Sequence, residues 1–158
     1  MIKTIFISIF LLCLFSITNL RAAESMPSNN QTNTQYAQAK ALLKEKKYPE
    51  ASKILEELLK DFKNTYNADI INDYGFSLRK QKQYDKAEKN YLEALRIDPN
   101  HKGANEYLGE LYLETQRPEL AKKRLEVLKN CNCDEFKLLK ANIDRYKPDA
   151  PFVPTSSW

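Results

Sequence analysis

The chain repeats itself. Ile71-x2-Tyr74-Gly75-x2-Leu78, followed by Ala87-x3-Tyr91, Ala94 and Pro99, returns 34 residues later as Asn105-x2-Leu108-Gly109-x2-Tyr112, then Ala121-x3-Leu125 and Leu128. An earlier copy reads Gln38-Ala39-x2-Leu42, then Ala51-x3-Leu55 and Leu58, offset by 36 residues from the middle one. The two extra residues fall around Asn64 to Asn67, in a loop. Each copy holds two apolar-periodic runs of about 12 to 14 residues at helical spacing, joined by a short turn. A single helical hairpin cannot bury its own apolar face, so copies at a fixed period must stack on one another.

Small residues sit at matching offsets. Ala39, Gly75 and Gly109 fall where the first helix of each copy crosses the second, and Ala51, Ala87 and Ala121 face them. Anything larger than a methyl group at either place would push the two backbones apart. Tyr91, Leu95, Leu55 and Leu125 are large enough to fill the space between neighbouring copies. Pro49 and Pro118 suit a first helical turn, where a missing N–H is tolerated, while Pro99 blocks continuation of the helix before it.

This pattern resembles the tetratricopeptide repeat. The resemblance covers residues 34 to about 131 and implies an all-α, right-handed α-solenoid of about three helix hairpins plus a C-terminal capping helix. The units are expected at about 34–66, 68–100 and 102–131. Two departures stand out: Gln35 and Gln38 occupy large apolar positions of the first unit, and Cys133 replaces the closing proline of the third.

Both ends of the chain read differently from the middle. Residues 1–23 combine Lys3, an apolar run from Ile5 to Phe15 and small residues at Ala22-Ala23, the form of a secretory signal peptide cut between Ala22 and Ser25. The apolar run is short for a bilayer crossing, and an uncleaved anchor is the alternative. Leu11 and Leu12 precede Cys13 where lipoprotein processing needs a small residue. Residues 24–33 are polar and read as a flexible leader. Near the other end, "DEFKLLKANIDRYK" spaces Phe136, Leu139, Ile143 and Tyr146 helically behind Asp134, a candidate helix cap, so 134–147 is the expected capping helix. A Cys loop followed by Cys-Asp-Glu-Phe and an amphipathic helix resembles the C-terminal end of some small secreted bacterial repeat proteins. Residues 148–158, with three prolines, read as an extended tail.

Catalytic chemistry is thinly supplied. His101 is the only histidine and lies in the "DPNHKG" turn, with no nucleophile or orienting partner visible beside it. Phosphate-binding glycine loops are missing, and two of the three glycines are packing positions. The reading is therefore a non-enzyme that needs no cofactor and no metal. Cys131 and Cys133 form a mutual disulfide, stay free or pair between molecules, or serve redox or metal chemistry, the first being the plainest use in an oxidising compartment. Loss of residues 1–23 removes Lys3 and Arg21 and no acid, taking the formal charge from +4 to +2. So near-neutral a chain is a poor match for nucleic acid.

The family resemblance implies a concave groove lined by the first helix of each unit and suited to a partner peptide or helix. Carried onto this chain, the groove positions are Tyr36, Lys40, Leu43 and Lys44, then Asp69, Asn72, Phe76, Arg79 and Lys80, then Glu106, Glu110, Leu113 and Glu114. The three glutamates recur every four residues and make one acidic stripe, opposed to the basic Lys40, Lys44, Arg79 and Lys80. Such a groove would orient a charged peptide with Phe76 as apolar anchor, unless Arg79 and Lys80 are taken up by the next unit's glutamates. Those glutamates also stand where the family's carboxylate clamp needs cations. The tail, with Phe152 and Trp158, either folds back into the groove or serves as a peptide for another protein.

The expected function is an exported protein–protein interaction module, periplasmic in a Gram-negative cell, with membrane contact only through an uncleaved signal. The alternatives are a self-associating or envelope-assembly subunit and a redox role resting on the two cysteines.

Overall fold

Three turns set the shape of the molecule, and all three are built alike. At each, the chain leaves a helix through a left-handed residue that is not glycine: Lys46 (φ 59°), Lys82 (φ 61°) and Gln116 (φ 58°). The next N–H reaches back five residues, from Lys47 to the Leu42 carbonyl (2.9 Å), Gln83 to Leu78 (2.9 Å) and Arg117 to Tyr112 (2.7 Å). This is the Schellman closure, which satisfies carbonyls the helix end would otherwise leave open. Its recurrence at the repeat period is what turns each pair of helices into the same hairpin.

The computed structural model describes residues 29–155. The signal segment, Cys13, the start of the leader and Trp158 lie outside the described residues. Among the described residues the order is α1 (Asn29–Lys44), α2 (Tyr48–Leu58), a 3-10 turn (Phe62–Tyr66), α3 (Ala68–Lys80), α4 (Tyr84–Ile97), α5 (Lys102–Glu114), α6 (Pro118–Leu128) and α7 (Asp134–Arg145). The fold is an α-solenoid of three hairpins with α7 on the open end. Odd-numbered helices form the inner layer, where α1 meets α3, α3 meets α5 and α5 meets α7, while each even-numbered helix packs against the odd ones on both sides of it.

The start of α1 corrects one boundary. Residues 29–33, read as leader, are the first turn and a half of this helix. Polar residues with no proline or glycine carry no barrier to helix, and the apolar positions that dock α1, Ala39 and Leu43, lie further along. The 3-10 turn takes up the two-residue offset between the first two units, with Asp61 capping it through the Lys63 N–H and the Asn64 side chain bonding the Leu58 carbonyl.

The core is a continuous strip of Ala39, Leu43, Ala51, Leu55, Ile70, Phe76, Ala87, Tyr91, Leu108, Leu111 and Ala121, all essentially closed to solvent. A methyl placed on Gly75 would lie 3.0 Å from the Tyr91 ring of its own hairpin, as the crossing argument requires. At Gly109 the tight neighbour differs: a methyl would lie 2.6 Å from both Leu139 methyl carbons of α7. The glycine there admits the capping helix. Leu125, the counterpart of Tyr91, is only half-buried.

Helix starts hold two further surprises. Asp134 does not cap α7; it is the first helical residue, and its carboxylate instead takes Lys137 at 2.8 Å. His101 does cap α5: its Nδ1 accepts the Ala104 N–H at 3.0 Å, which leaves Nε2 to donate to Asp69 Oδ1 at 3.0 Å. Cys131 and Cys133 are joined in a disulfide across the loop before α7. None of the described helices is long and apolar enough to cross a membrane.

Candidate functional site

The inner layer concentrates polar and aromatic groups that a core would ordinarily exclude. Helices place them there by register: residues three and four apart share a face, so Asn72, Phe76, Arg79 and Lys80 of α3 look toward Glu106, Glu110 and Glu114 of α5. The expected residues are thus brought together, but most are not open to water. Phe76, Arg79, Glu110 and Leu113 are closed to solvent and Asn72 and Glu106 nearly so, whereas Lys40 and Lys44 of α1 are exposed.

At the centre, Arg79 Nη2 meets Glu110 Oε2 at 2.7 Å and its Nη1 meets Glu114 Oε1 at 3.2 Å. Burial works against the charge of Arg79, but Tyr91, Glu110 and Glu114 around it more than offset this and hold its pKa above the ordinary value. The guanidinium also lies 5.6 Å from the ring centres of both Phe76 and Tyr107, and those rings are 4.9 Å apart. Lys80 Nζ sits 5.1 Å over Phe76; burial and the adjacent Arg79 lower its pKa. Glu110 and Glu114 of the acidic stripe have therefore paired with Arg79. Glu106 is the exception: burial first, then Glu110 and Glu135, push its carboxyl up to about 8, and its Oε1 has no hydrogen-bond partner among the described residues.

A second polar group lies toward α1. The Tyr36 hydroxyl donates to Asp73 Oδ2 at 2.8 Å, and Asn72 Nδ2 donates to Asp73 Oδ1 at 3.2 Å. Burial raises the Asp73 carboxyl to about 6, against the opposing pull of those two hydrogen bonds. Asn72 Oδ1 is buried and, like Glu106 Oε1, has no donor among the described residues.

The third group belongs to α7 and the tail. Asn142 Nδ2 donates to Glu110 Oε1 at 2.6 Å, which links α7 to the central ion pair. Asn142 Oδ1 accepts Arg145 Nη2 at 2.7 Å and both the N–H and the hydroxyl of Thr155, at 3.2 Å and 3.0 Å. After Tyr146 the chain turns back, so Phe152 rests edge-on against Tyr146 with ring centres 5.8 Å apart. Between them, α5 and the tail enclose a cleft of about 380 Å³ lined by Leu113, Glu114, Tyr146 and Phe152.

Sequence reasoning missed Asp73, Tyr107, Asn142, Arg145 and Thr155. Asp73 and Tyr107 adjoin expected groove positions, and a polar side chain flanking such a position is the signal that was available. Nothing local marks Asn142, which looks like an ordinary polar residue of an amphipathic helix. No group of three or more His, Cys, Asp or Glu side chains is placed to hold a metal among the described residues.

The repeat geometry has counterparts. Profiles described as tetratricopeptide repeat match residues 33–65 and 78–143, together well over half of the 158 residues. The chain belongs to the tetratricopeptide repeat family. Tetratricopeptide repeat protein 37 of Xenopus laevis is 26% identical over 137 residues, which are 82% of this chain and 9% of that protein; the chain thus spans under a tenth of that relative's length. Among solved structures, the type III secretion translocator chaperone SycD of Yersinia enterocolitica superposes with a TM-score of 0.63 at 22% identity, over 74% of this chain and 89% of SycD. SycD in complex with a peptide of the translocator YopD gives 0.64 at 21%, over 74% and 89%. PcrH in complex with the chaperone binding region of PopB gives 0.64 at 17%, over 77% and 98%. Identities this low speak for the fold alone.

Proposed function

We propose that this tetratricopeptide repeat chain is an exported, non-enzymatic module that binds a partner peptide or helix on its inner helical layer, in the periplasm if the cell is Gram-negative. The observation that carries this reading is Asn72 Oδ1 on α3, a buried acceptor that lacks a donor among the described residues. A buried acceptor without a donor costs about 1–3 kcal/mol, and peptide N–H groups supply donors. The exposed Lys40 and Lys44 extend the same layer and favour a segment carrying negative charge at that end. Solved folds of this shape, SycD with a YopD peptide and PcrH with a region of PopB, support a protein ligand by analogy.

The test is affinity capture from the exported fraction with the full chain, beside Asn72→Leu and Lys40→Glu/Lys44→Glu variants of unchanged helicity. Loss of the same protein from both variants supports the reading. Identical captured sets on all three baits sink it. Fractionation and N-terminal sequencing of the mature chain test export separately; a chain retained in the cytoplasm with Met1 intact removes that part.

A second reading, an assembly subunit, draws on one feature. Phe62 and Tyr66 of the 3-10 turn are 70% and 58% exposed and stack edge to face at 5.2 Å. Aromatic pairs this exposed are enriched at interfaces. Sedimentation of the parent against Phe62→Ser/Tyr66→Ser decides it: a mass that rises with concentration only in the parent favours assembly.

A further inference from the structure

An extended peptide already sits against the inner layer, and it is the chain's own tail. Four contacts hold it. The Thr155 N–H and hydroxyl both donate to Asn142 Oδ1, Arg145 Nη2 donates to the Val153 carbonyl at 3.2 Å, and the Phe152 ring lies against Tyr146 and 5.9 Å from the Arg145 guanidinium. Two of these read backbone and so accept any residue. The other two read an aromatic side chain and, three residues on, a hydroxyl. Pro151 just before the segment and Pro154 within it pre-set an extended course, which lowers the entropy lost on seating it.

The seat is built, while its occupant is lightly held. Asn142 is fully buried, its amide is oriented by Glu110, and Glu110 is locked in turn by Arg79. Val153, between the anchoring residues, is 74% exposed, and Phe152 is only half-buried. Segments with few buried apolar contacts open at low free-energy cost. A rigid, buried acceptor that meets a thin, exposed strap matches a recognition site more closely than a structural clasp.

We propose that Asn142, Arg145 and Tyr146 form a peptide subsite for an extended segment of the form aromatic, any residue, proline, Ser or Thr, and that residues 152–155 occupy it in cis until a ligand of the same chemistry displaces them. This rests on the peptide-binding reading above and names the ligand class of one end of that layer. Tethering through the few residues after α7 gives the tail an effective concentration on the order of millimolar, so an incoming peptide competes against that value.

The probe is a fluorescein-labelled peptide of residues 148–155, titrated by anisotropy onto the full chain and onto a Phe152→Ala/Thr155→Val variant. Both substitutions lie outside the helices at exposed or half-buried positions, and circular dichroism verifies the fold. The expected result is binding at least about tenfold tighter to the variant than to the parent. The gain should vanish when Arg145→Ala is added, and when the peptide itself carries the Ala and Val changes. Equal binding by parent and variant, or none by either, overturns the proposal. So does a parent that is a dimer by sedimentation and dissociates in the variant, since the tail would then seat in a second copy. The outcome is independent of partner capture: peptide binding without a captured partner keeps the subsite and removes the wider reading, and the converse removes only the subsite.

Discussion

Arg79 and Glu110 meet at 2.7 Å across α3 and α5 with neither side chain exposed to solvent. Two buried charges tolerate the loss of neither partner. Glu110→Ala should therefore lower unfolding free energy by about 3–5 kcal/mol, as should Arg79→Ala. A volume-matched Arg79→Met/Glu110→Leu pair should recover most of that loss. Urea melts of the three variants check this; a double variant no better than the singles would show that the hydrogen bond from Asn142, and not the ion pair, carries the contact.

Glu106 makes stability depend on pH. The unfolded chain releases this proton near 4.5 and the folded chain near 8. Between those values the folded state binds more protons, so stability is highest at the acid end and falls as pH rises through the window. Asp73, raised from 3.8 to about 6, acts in the same direction over its lower half. Glu106→Gln, which mimics the protonated form, should flatten the profile and stabilise the chain by a few kcal/mol at about pH 8.5, with little change near pH 4.5. Denaturant midpoints at the two pH values measure it. Parallel profiles for parent and variant would mean that Lys80 and Arg79 keep Glu106 ionised.

Gly109 tests how the cap is fitted. Gly109→Ala sets a methyl 2.6 Å from Leu139 and should cost about 1–3 kcal/mol through overpacking. Adding Leu139→Ala should make the glycine substitution close to neutral relative to Leu139→Ala alone, which a double-mutant cycle by thermal melting reads directly. An unchanged penalty would place the clash elsewhere.

Much of this architecture was legible because the repeat is written in small and large residues at fixed offsets. The hairpins, the crossing at Gly75 and the stop at Pro99 all follow from such spacing. The inner face was legible in membership but not in state. Lys40 and Arg79 look alike as basic groove positions, yet one is exposed and the other is the largest fully buried side chain among the described residues. What separates them is the neighbour across the layer: Arg79 faces Glu110 and Glu114, whereas Lys40 packs beside Tyr36 on the outermost helix. Facing partners come from the stack and not from local sequence. The role of Asn142 was hidden for the same reason, since its partners lie 32 residues back and 13 ahead.

His101 offers a fourth test. Its Nδ1 accepts the Ala104 N–H, so His101→Ala should cost about 1 kcal/mol and His101→Asn should retain most of the capping. Equal melting temperatures for Ala and Asn would show that the bond to Asp69, which neither replaces, is the larger contribution.

The three left-handed turn residues carry a different kind of consequence. Lys46, Lys82 and Gln116 each hold a side chain at a φ near 60°, a conformation that disfavours a Cβ by roughly 1–2 kcal/mol per residue. Each is exposed and remote from the core. The chain thus holds back part of the thermal tolerance its own topology permits, in three identical increments that glycine would release.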